Sequence, residues 1–208
     1  MSAWIDVTRP MDETLVRWPG RPRPKLRWEK SIEAGGHCNI SFWEMSPHSG
    51  THMDAPLHFV AGGKPIDQIT PETFIGKCQV VDLATTKSAI MELTLARQHA
   101  GVKRLLINSR HKSGGTDYQP HGPLMTQEAA VLLLEKGLLL IGTDRLSVDD
   151  SQGNSFTLHH AFLGAGCVIL EGLQFEAAPE GSYFLQAAPL RFAGAEASPV
   201  RAFLKKLP

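Results

Sequence analysis

One stretch of eleven residues, HSGTHMDAPLH from His48 to His58, restricts this chain more than any other. It places histidines at positions 48, 52 and 58 and an aspartate at 54. A helix is excluded, because Pro47 precedes the run, Gly50 and Thr51 interrupt it, and Pro56 would cost roughly 3 kcal/mol in a helix interior. The segment must therefore be extended or turning. Side chains alternate along an extended chain, so His52 and Asp54 project to one side and can share an ion directly. Fully extended at about 3.3 Å per residue, His48 and His52 would stand roughly 13 Å apart, too far for an ion held about 2 Å from each nitrogen. A bend between them is required. Gly50 permits it, and Pro56 fixes a second change of direction before His58.

Imidazole and carboxylate are the ligands taken by a catalytic zinc, or a similar divalent ion, that must keep a position open for water. A single histidine in a loop is more often an ordinary polar residue, but these four donors so close together point to a metal-assisted hydrolase. His37, His99, His111 and His121 are scattered and read as surface or loop residues. A second constellation lies in LHHAFLGAGCVILEGL, with His159, His160 and Glu171. A helix carries the histidines, a glycine turn follows, and the apolar run CVIL delivers Glu171 at its end. A carboxylate there is a candidate ligand or general base; the alternative is a strand-end acid capping the next turn.

The composition limits the partners. With 208 residues the chain can bury one sizeable core, and no break in composition suggests two, so residues 1–208 read as one domain. Lys plus Arg and Asp plus Glu number 21 each, which leaves no basic field for a nucleic-acid backbone. Small molecules or copies of the chain itself are the expected partners. Cys38, Cys78 and Cys167 are widely spaced without a CxxC pair, and read as small apolar core residues in a reducing compartment. No basic start with an apolar stretch and no membrane-length apolar run is present, so a soluble cytoplasmic protein is expected.

Short β-rich runs bounded by Gly, Pro or Asp predict strands at 4–8, 39–45, 79–83, 104–108, 138–142, 167–170 and 183–188. Thr126 followed by QEAAVLLLEKG predicts an N-capped helix ending at Gly137. Further helices are predicted over 157–163 and near 93–99. Strands outnumber helices without regular alternation, which favours a strand-rich α+β fold over a doubly wound sheet. The Pro- and Arg-dense segment RWPGRPRPKLRW reads as a loop whose charges are solvated, or as a functional loop over a site. Neither Trp18 nor Trp28 can be assigned to core or pocket.

The run HSGTHMDAPLH resembles the HxGTHxDxPxH signature of the cyclase-like metal hydrolase family, which includes bacterial metal-dependent kynurenine formamidases and isatin hydrolases. The agreement extends to WPG at 18–20, GTDRLSVD at 142–149, the His159–Glu171 region and the C-terminal ASPVRAFLKKLP, nearly the whole chain. The resemblance implies a swivelling β/β/α-type fold, a homodimer or homotetramer, a place in tryptophan catabolism, and one or two divalent ions per subunit, zinc or else manganese. It implies that His48, His52 and Asp54 bind one ion, and that Asp54 bridges to a second held by a downstream His and a Glu twelve residues later. That spacing selects His159 with Glu171 and leaves His160 as a helix neighbour. It makes His58 the acid/base. The chain departs from the formamidases at Arg21, where they tend to carry Asp, at Asn108–Arg110, and at Arg145 and Leu146; these changes bear on the substrate.

The resulting expectation is hydrolysis of an N-formyl or N-acyl arylamine such as N-formylkynurenine by metal-activated water, with His58 titrating near working pH and passing the proton to the leaving nitrogen. A cyclic amide such as isatin, or a lactone, is the alternative substrate. A metal that only holds the fold together would favour four closed ligands including Cys, and no cysteine lies in either motif. A Ser or Cys nucleophile finds no GxSxG elbow, and Cys167 sits in an apolar run.

Overall fold

Leu105, Leu106 and Ile107 are all fully buried, and their side chains alternate between two separate apolar clusters. A strand buried on both faces reads as a continuous apolar run, the mark of a sheet interior. The computed structural model describes residues 4–85, 89–110 and 118–208. Its strands are β1 (Trp4–Asp6), β2 (Lys25–Lys30), β3 (Ile40–Glu44), β4 (His52–Asp54), β5 (Ile75–Asp82), β6 (Arg104–Asn108), β7 (Leu140–Thr143), β8 (Val168–Glu171), β9 (Gly181–Gln186), β10 (Ala197–Pro199) and β11 (Phe203–Lys206). The helices are α1 (Pro71–Phe74), α2 (Leu93–Gln98), α3 (Gln127–Glu135) and α4 (Thr157–Gly164). Nine strands form one sheet in the order β1-β11-β9-β5-β6-β7-β8-β4-β10, and β2 and β3 form a separate two-stranded sheet.

The centre of the sheet, β5 to β8, is parallel, with α2, α3 and α4 crossing between successive strands. Val81, Leu105, Ile107, Ile141 and Ile169 face these helices and meet Ala129, Leu133 and Phe162. On the opposite face Val80, Leu106, Leu140, Val168 and Leu170 pack with Met53, Tyr183 and Leu204 from the antiparallel outer strands. The sheet curls around this second cluster, so that the chain after β1 reaches the far side: Gln174 N–H donates to Val7 O, and Thr8 bridges Leu173.

The strand-rich α+β expectation holds, and the seven predicted strands and three predicted helices are present, β6 with the predicted ends and the others with shifted ones. The Thr126 hydroxyl accepts from Ala129 N–H as an N-cap should. Three readings are corrected. Strands and helices do alternate regularly through the middle of the chain; the fold is nevertheless not doubly wound, because the crossover helices lie on one face. The expected loop at 17–28 gives way at Lys25 to β2, whose residues pair with β3. Cys38 is exposed, while Cys78 and Cys167 are buried, so only two of the three cysteines belong to the core. Among the described residues no helix is long and apolar enough to cross a membrane.

Candidate metal centre

The expected bend falls at Gly50, whose φ of +65° is easily reached without a Cβ. Beyond it His52, Met53 and Asp54 form β4, wedged antiparallel between β8 and β10. Alternation sends Met53 into the apolar cluster and His52 and Asp54 to the other face. His52 lies directly opposite Glu171. Pro56 then opens a 3-10 turn ending at His58, and α4 sets His159 above the same face. His48, His52, Asp54, His58, His159 and Glu171 therefore line one pocket. His160, on the exposed side of α4, packs edge-on against Phe59.

Asp54 is the centre of the cluster. Its Oδ1 is 2.9 Å from His48 Nδ1 and 3.5 Å from His52 Nε2, and its Oδ2 is 3.7 Å from His159 Nε2. His52 Nε2 is also 3.5 Å from Glu171 Oε2, and His159 Nε2 is 3.7 Å from Glu171 Oε1. Yet both oxygens of Asp54 are buried without a hydrogen bond among the described residues. Burying an unsatisfied carboxylate is costly, and a cation bound among these atoms would satisfy it. The donor atoms of His52, Asp54 and Glu171 lie within 4.8 Å of one another, as do those of His48, Asp54 and His58, so Asp54 is common to two possible ion positions. The donor set fits a divalent metal.

The remaining ring nitrogens are held from outside the cluster. His52 Nδ1–H donates to Gly50 O at 2.9 Å, which leaves Nε2 free as a ligand atom. His159 Nδ1 lies 2.6 Å from Asp149 Oδ2, and the same carboxylate accepts from Leu158 N–H and His159 N–H. Asp149 thus caps α4, whose own N-cap residue Phe156 adopts φ +46° and offers no side-chain bond. His48 Nε2 lies 3.2 Å from Glu196 Oε1. Glu171 Oε1 accepts from Val148 N–H. The motif reading missed Asp149 and Glu196. Asp149 gave no capping signal, because Asp150, Asn154 and Ser155 stand between it and α4 as ordinary cap residues; Glu196 is too far along the chain to give any signal.

Burial opposes charge on both inner histidines, but nearby carboxylates outweigh it. Asp54 and Glu171 raise His52 to about 9, and Asp149 with Asp54 and Glu171 raises His159 to about 10. Burial would likewise raise the carboxyl of Asp54, but the imidazoles of His159, His48 and His52 hold it well below the usual range. His58 goes the other way: burial, with His48, His159 and His52 adding to it, pushes it down to about 4 against the attraction of Asp54. Its expected titration near working pH is thereby corrected, and the ring is neutral at pH 7.

The rest of the pocket combines apolar and aromatic side chains with Arg17, Arg21 and three serines, Ser46, Ser49 and Ser147. Phe59 and Phe156 pack against His159 and each other, and Trp18, in the Pro- and Arg-dense loop, packs against Tyr118 with the two rings tilted. That loop lines the pocket, and Trp18 belongs to it, whereas Trp28 projects from β2 with 60% of its surface exposed. Arg145 is buried and donates to Ser109 Oγ and to three backbone carbonyls.

A family model named Cyclase, described as "Putative cyclase", matches residues 5–150. The chain belongs to this family. A kynurenine formamidase of Geobacillus thermodenitrificans is 36% identical over 210 residues, covering 100% of this chain and 99% of the relative. Among solved structures, one described as a potential metal-dependent hydrolase with cyclase activity superimposes with a TM-score of 0.82 at 28% identity over 100% of both chains. An isatin hydrolase bound to the product analogue thioisatinate gives a TM-score of 0.82 at 22% identity over 97% of this chain and 91% of that one, a likeness of fold.

Proposed function

We propose that the protein is a metal-dependent amide hydrolase that cleaves the C–N bond of an N-formyl or N-acyl arylamine, N-formylkynurenine being the example that its formamidase relative supplies. The observation that carries this reading is Asp54, whose two buried, unsatisfied oxygens face the rings of His48, His52 and His159 on the floor of an aromatic pocket. His48, His52, Asp54, His159 and Glu171 would hold the ion or ions in this proposal, Asp54 being common to both groups of donors. Zinc suits the set of imidazoles and carboxylates, and manganese is the alternative. The bound ion supplies Lewis acidity toward water and toward the substrate carbonyl.

The chain's own residues do the rest. His58 lines the same pocket with its ring centroid 4.3 Å from that of His48. From there it takes a proton from the attacking water and delivers it to the departing nitrogen. Asp149 and Gly50 O fix the ring orientations of His159 and His52 before substrate arrives, so little reorganisation is left for the reaction. Phe59, Phe156 and Trp18 exclude water and offer flat surfaces to an aryl group.

The exposed aromatics of the β2–β3 ribbon, Trp28, Phe42 and Trp43, support a homo-oligomer, testable by sedimentation. The free thiols of Cys78 and Cys167 support a reducing, cytoplasmic setting. The activity itself is tested by metal analysis of the purified protein beside a hydrolysis screen containing N-formylkynurenine, N-formylaniline, isatin and a lactone. Turnover of the open-chain amides should vanish with chelator and return with zinc or manganese. Turnover of isatin alone would move the assignment to cyclic amides, and no turnover by the metal-loaded protein would overturn it.

A further inference from the structure

The Pro- and Arg-dense loop has a feature that the hydrolytic reading leaves unused. Pro19 and Gly20 occupy the two central positions of a tight turn in which Arg21 N–H donates to Trp18 O, with Gly20 at φ +79°. The turn brings Arg17 and Arg21 together: Arg17 Nη1 donates to Arg21 O at 2.6 Å. Both arginines line the pocket. Arg23, in the same loop, donates instead to Glu13 O and is not part of the lining. Neither Arg17 nor Arg21 has a carboxylate partner among the described residues. The acids lining the pocket are Asp54 and Glu171, both enclosed in the donor cluster. Among the described residues, the lining thus carries two arginines and no acid outside the donor cluster, beside an aromatic surface.

We infer that Arg17 and Arg21 recognise a carboxylate on the substrate, so that the preferred substrate is an aryl amide that carries an anionic group. This rests on the hydrolase reading for the bond that is cleaved but not for what the arginines bind. Guanidinium is suited to the task, because its planar fork matches a carboxylate and it stays charged at any working pH. An ammonium group alone on that part of the substrate would meet two positive charges, so in N-formylkynurenine, which carries a carboxylate and an ammonium together, the carboxylate is the group the arginines take. A neutral aryl amide would use the aromatic wall and leave the arginines to water.

The experiment compares N-formylanthranilate with N-formylaniline, which differ in one carboxylate. The carboxylate should raise kcat/KM about tenfold or more, chiefly through KM, and added salt should shrink the difference. In R17A/R21A the ratio between the two probes should fall close to one, while R201A, altered at a surface arginine paired with Asp6, should keep it. Equal kcat/KM for the two probes in the parent protein, or a ratio that survives R17A/R21A, overturns the inference and leaves the hydrolase reading intact. If neither probe is hydrolysed, the hydrolase reading is what fails, and binding then decides the inference. Anthranilate should quench the tryptophan fluorescence at lower concentration than aniline, and this preference should disappear in R17A/R21A. Equal binding of the two, or a preference unaffected by the substitutions, would overturn it.

Discussion

The two segments that build the candidate metal centre hold their donors by different means. In the first, His48 to His58, the donors are neighbours in sequence, and a three-residue strand between two bends aims them; His48 and His58 remain partly exposed. In the second, His159 and Glu171 stand on a helix and a strand of the central sheet, both almost fully buried, and backbone groups or Asp149 hold them from behind. The first segment supplies the shared carboxylate and the proposed acid/base. The second supplies a rigid frame that exists before any ion binds. Closeness in sequence makes a site easy to recognise; anchoring to buried backbone makes it hold its geometry.

Removing the shared carboxylate should have the largest effect. Asp54→Ala should lower bound metal to one ion per chain or fewer, and reduce amide hydrolysis by at least about three orders of magnitude, as loss of a metal site does. Wild-type metal stoichiometry in this variant would show that Asp54 bridges nothing. Next comes His58 in the same segment. Its replacement by Ala should keep the metal and approximate KM while kcat falls by roughly two to four decades, the usual worth of general acid/base catalysis. Metal loss would instead make His58 a ligand.

The frame of the second segment is probed by Asp149→Asn. The amide oxygen keeps an acceptor for Leu158 N–H, but the amide nitrogen in place of Oδ2 removes the acceptor of His159 N–H, presents a donor to His159 Nδ1 and favours the tautomer in which Nε2 carries the proton. Metal affinity should fall about 10- to 100-fold, the usual cost of losing such a partner. Nitrogen-15 spectra of His159 in the metal-free protein, recorded above pH 10 where the ring is neutral, should show the tautomer change while circular dichroism stays the same. An unchanged tautomer would confine Asp149 to helix capping.

The smallest effects are those of pH on the chelator-treated protein. His52 and His159, raised to about 9 and 10, contribute stability that is complete below their unfolded pKa of about 6.5 and is lost as pH climbs through 9 and 10. His58, lowered to about 4, contributes stability that is present above about 6.5 and is lost as pH falls toward 4. Thermal scans of the metal-free protein should therefore peak near pH 6 to 7, and metal should flatten the alkaline side. Because both inner histidines are protonated at pH 7 without metal, binding should release about two protons, measurable by calorimetry in buffers of different ionisation enthalpy. Zero release would show that the two rings are already neutral.

Much of this was written locally in the chain. The bend at Gly50, the shared side of His52 and Asp54, the turn at Pro56 and the Thr126 cap each depend on residues a few positions apart, where steric limits and strand alternation act without help from the rest of the molecule. The His159–Glu171 spacing and the HxGTHxDxPxH pattern carried the family. What the sequence did not show is what depends on packing between distant segments. The pairing of His52 opposite Glu171, the reach of Glu196 to His48 and the folding of the Arg17–Arg21 loop over the pocket are set by sheet order and curl. The downward shift of His58 has the same origin, since burial and the assembled charges around it, not its own sequence neighbours, decide its proton. Residue type and spacing determined by themselves which atoms are able to bind a metal. Only the tertiary structure decided that they converge on Asp54 and leave its two oxygens buried without a hydrogen bond among the described residues, because convergence and desolvation are properties of the packed chain.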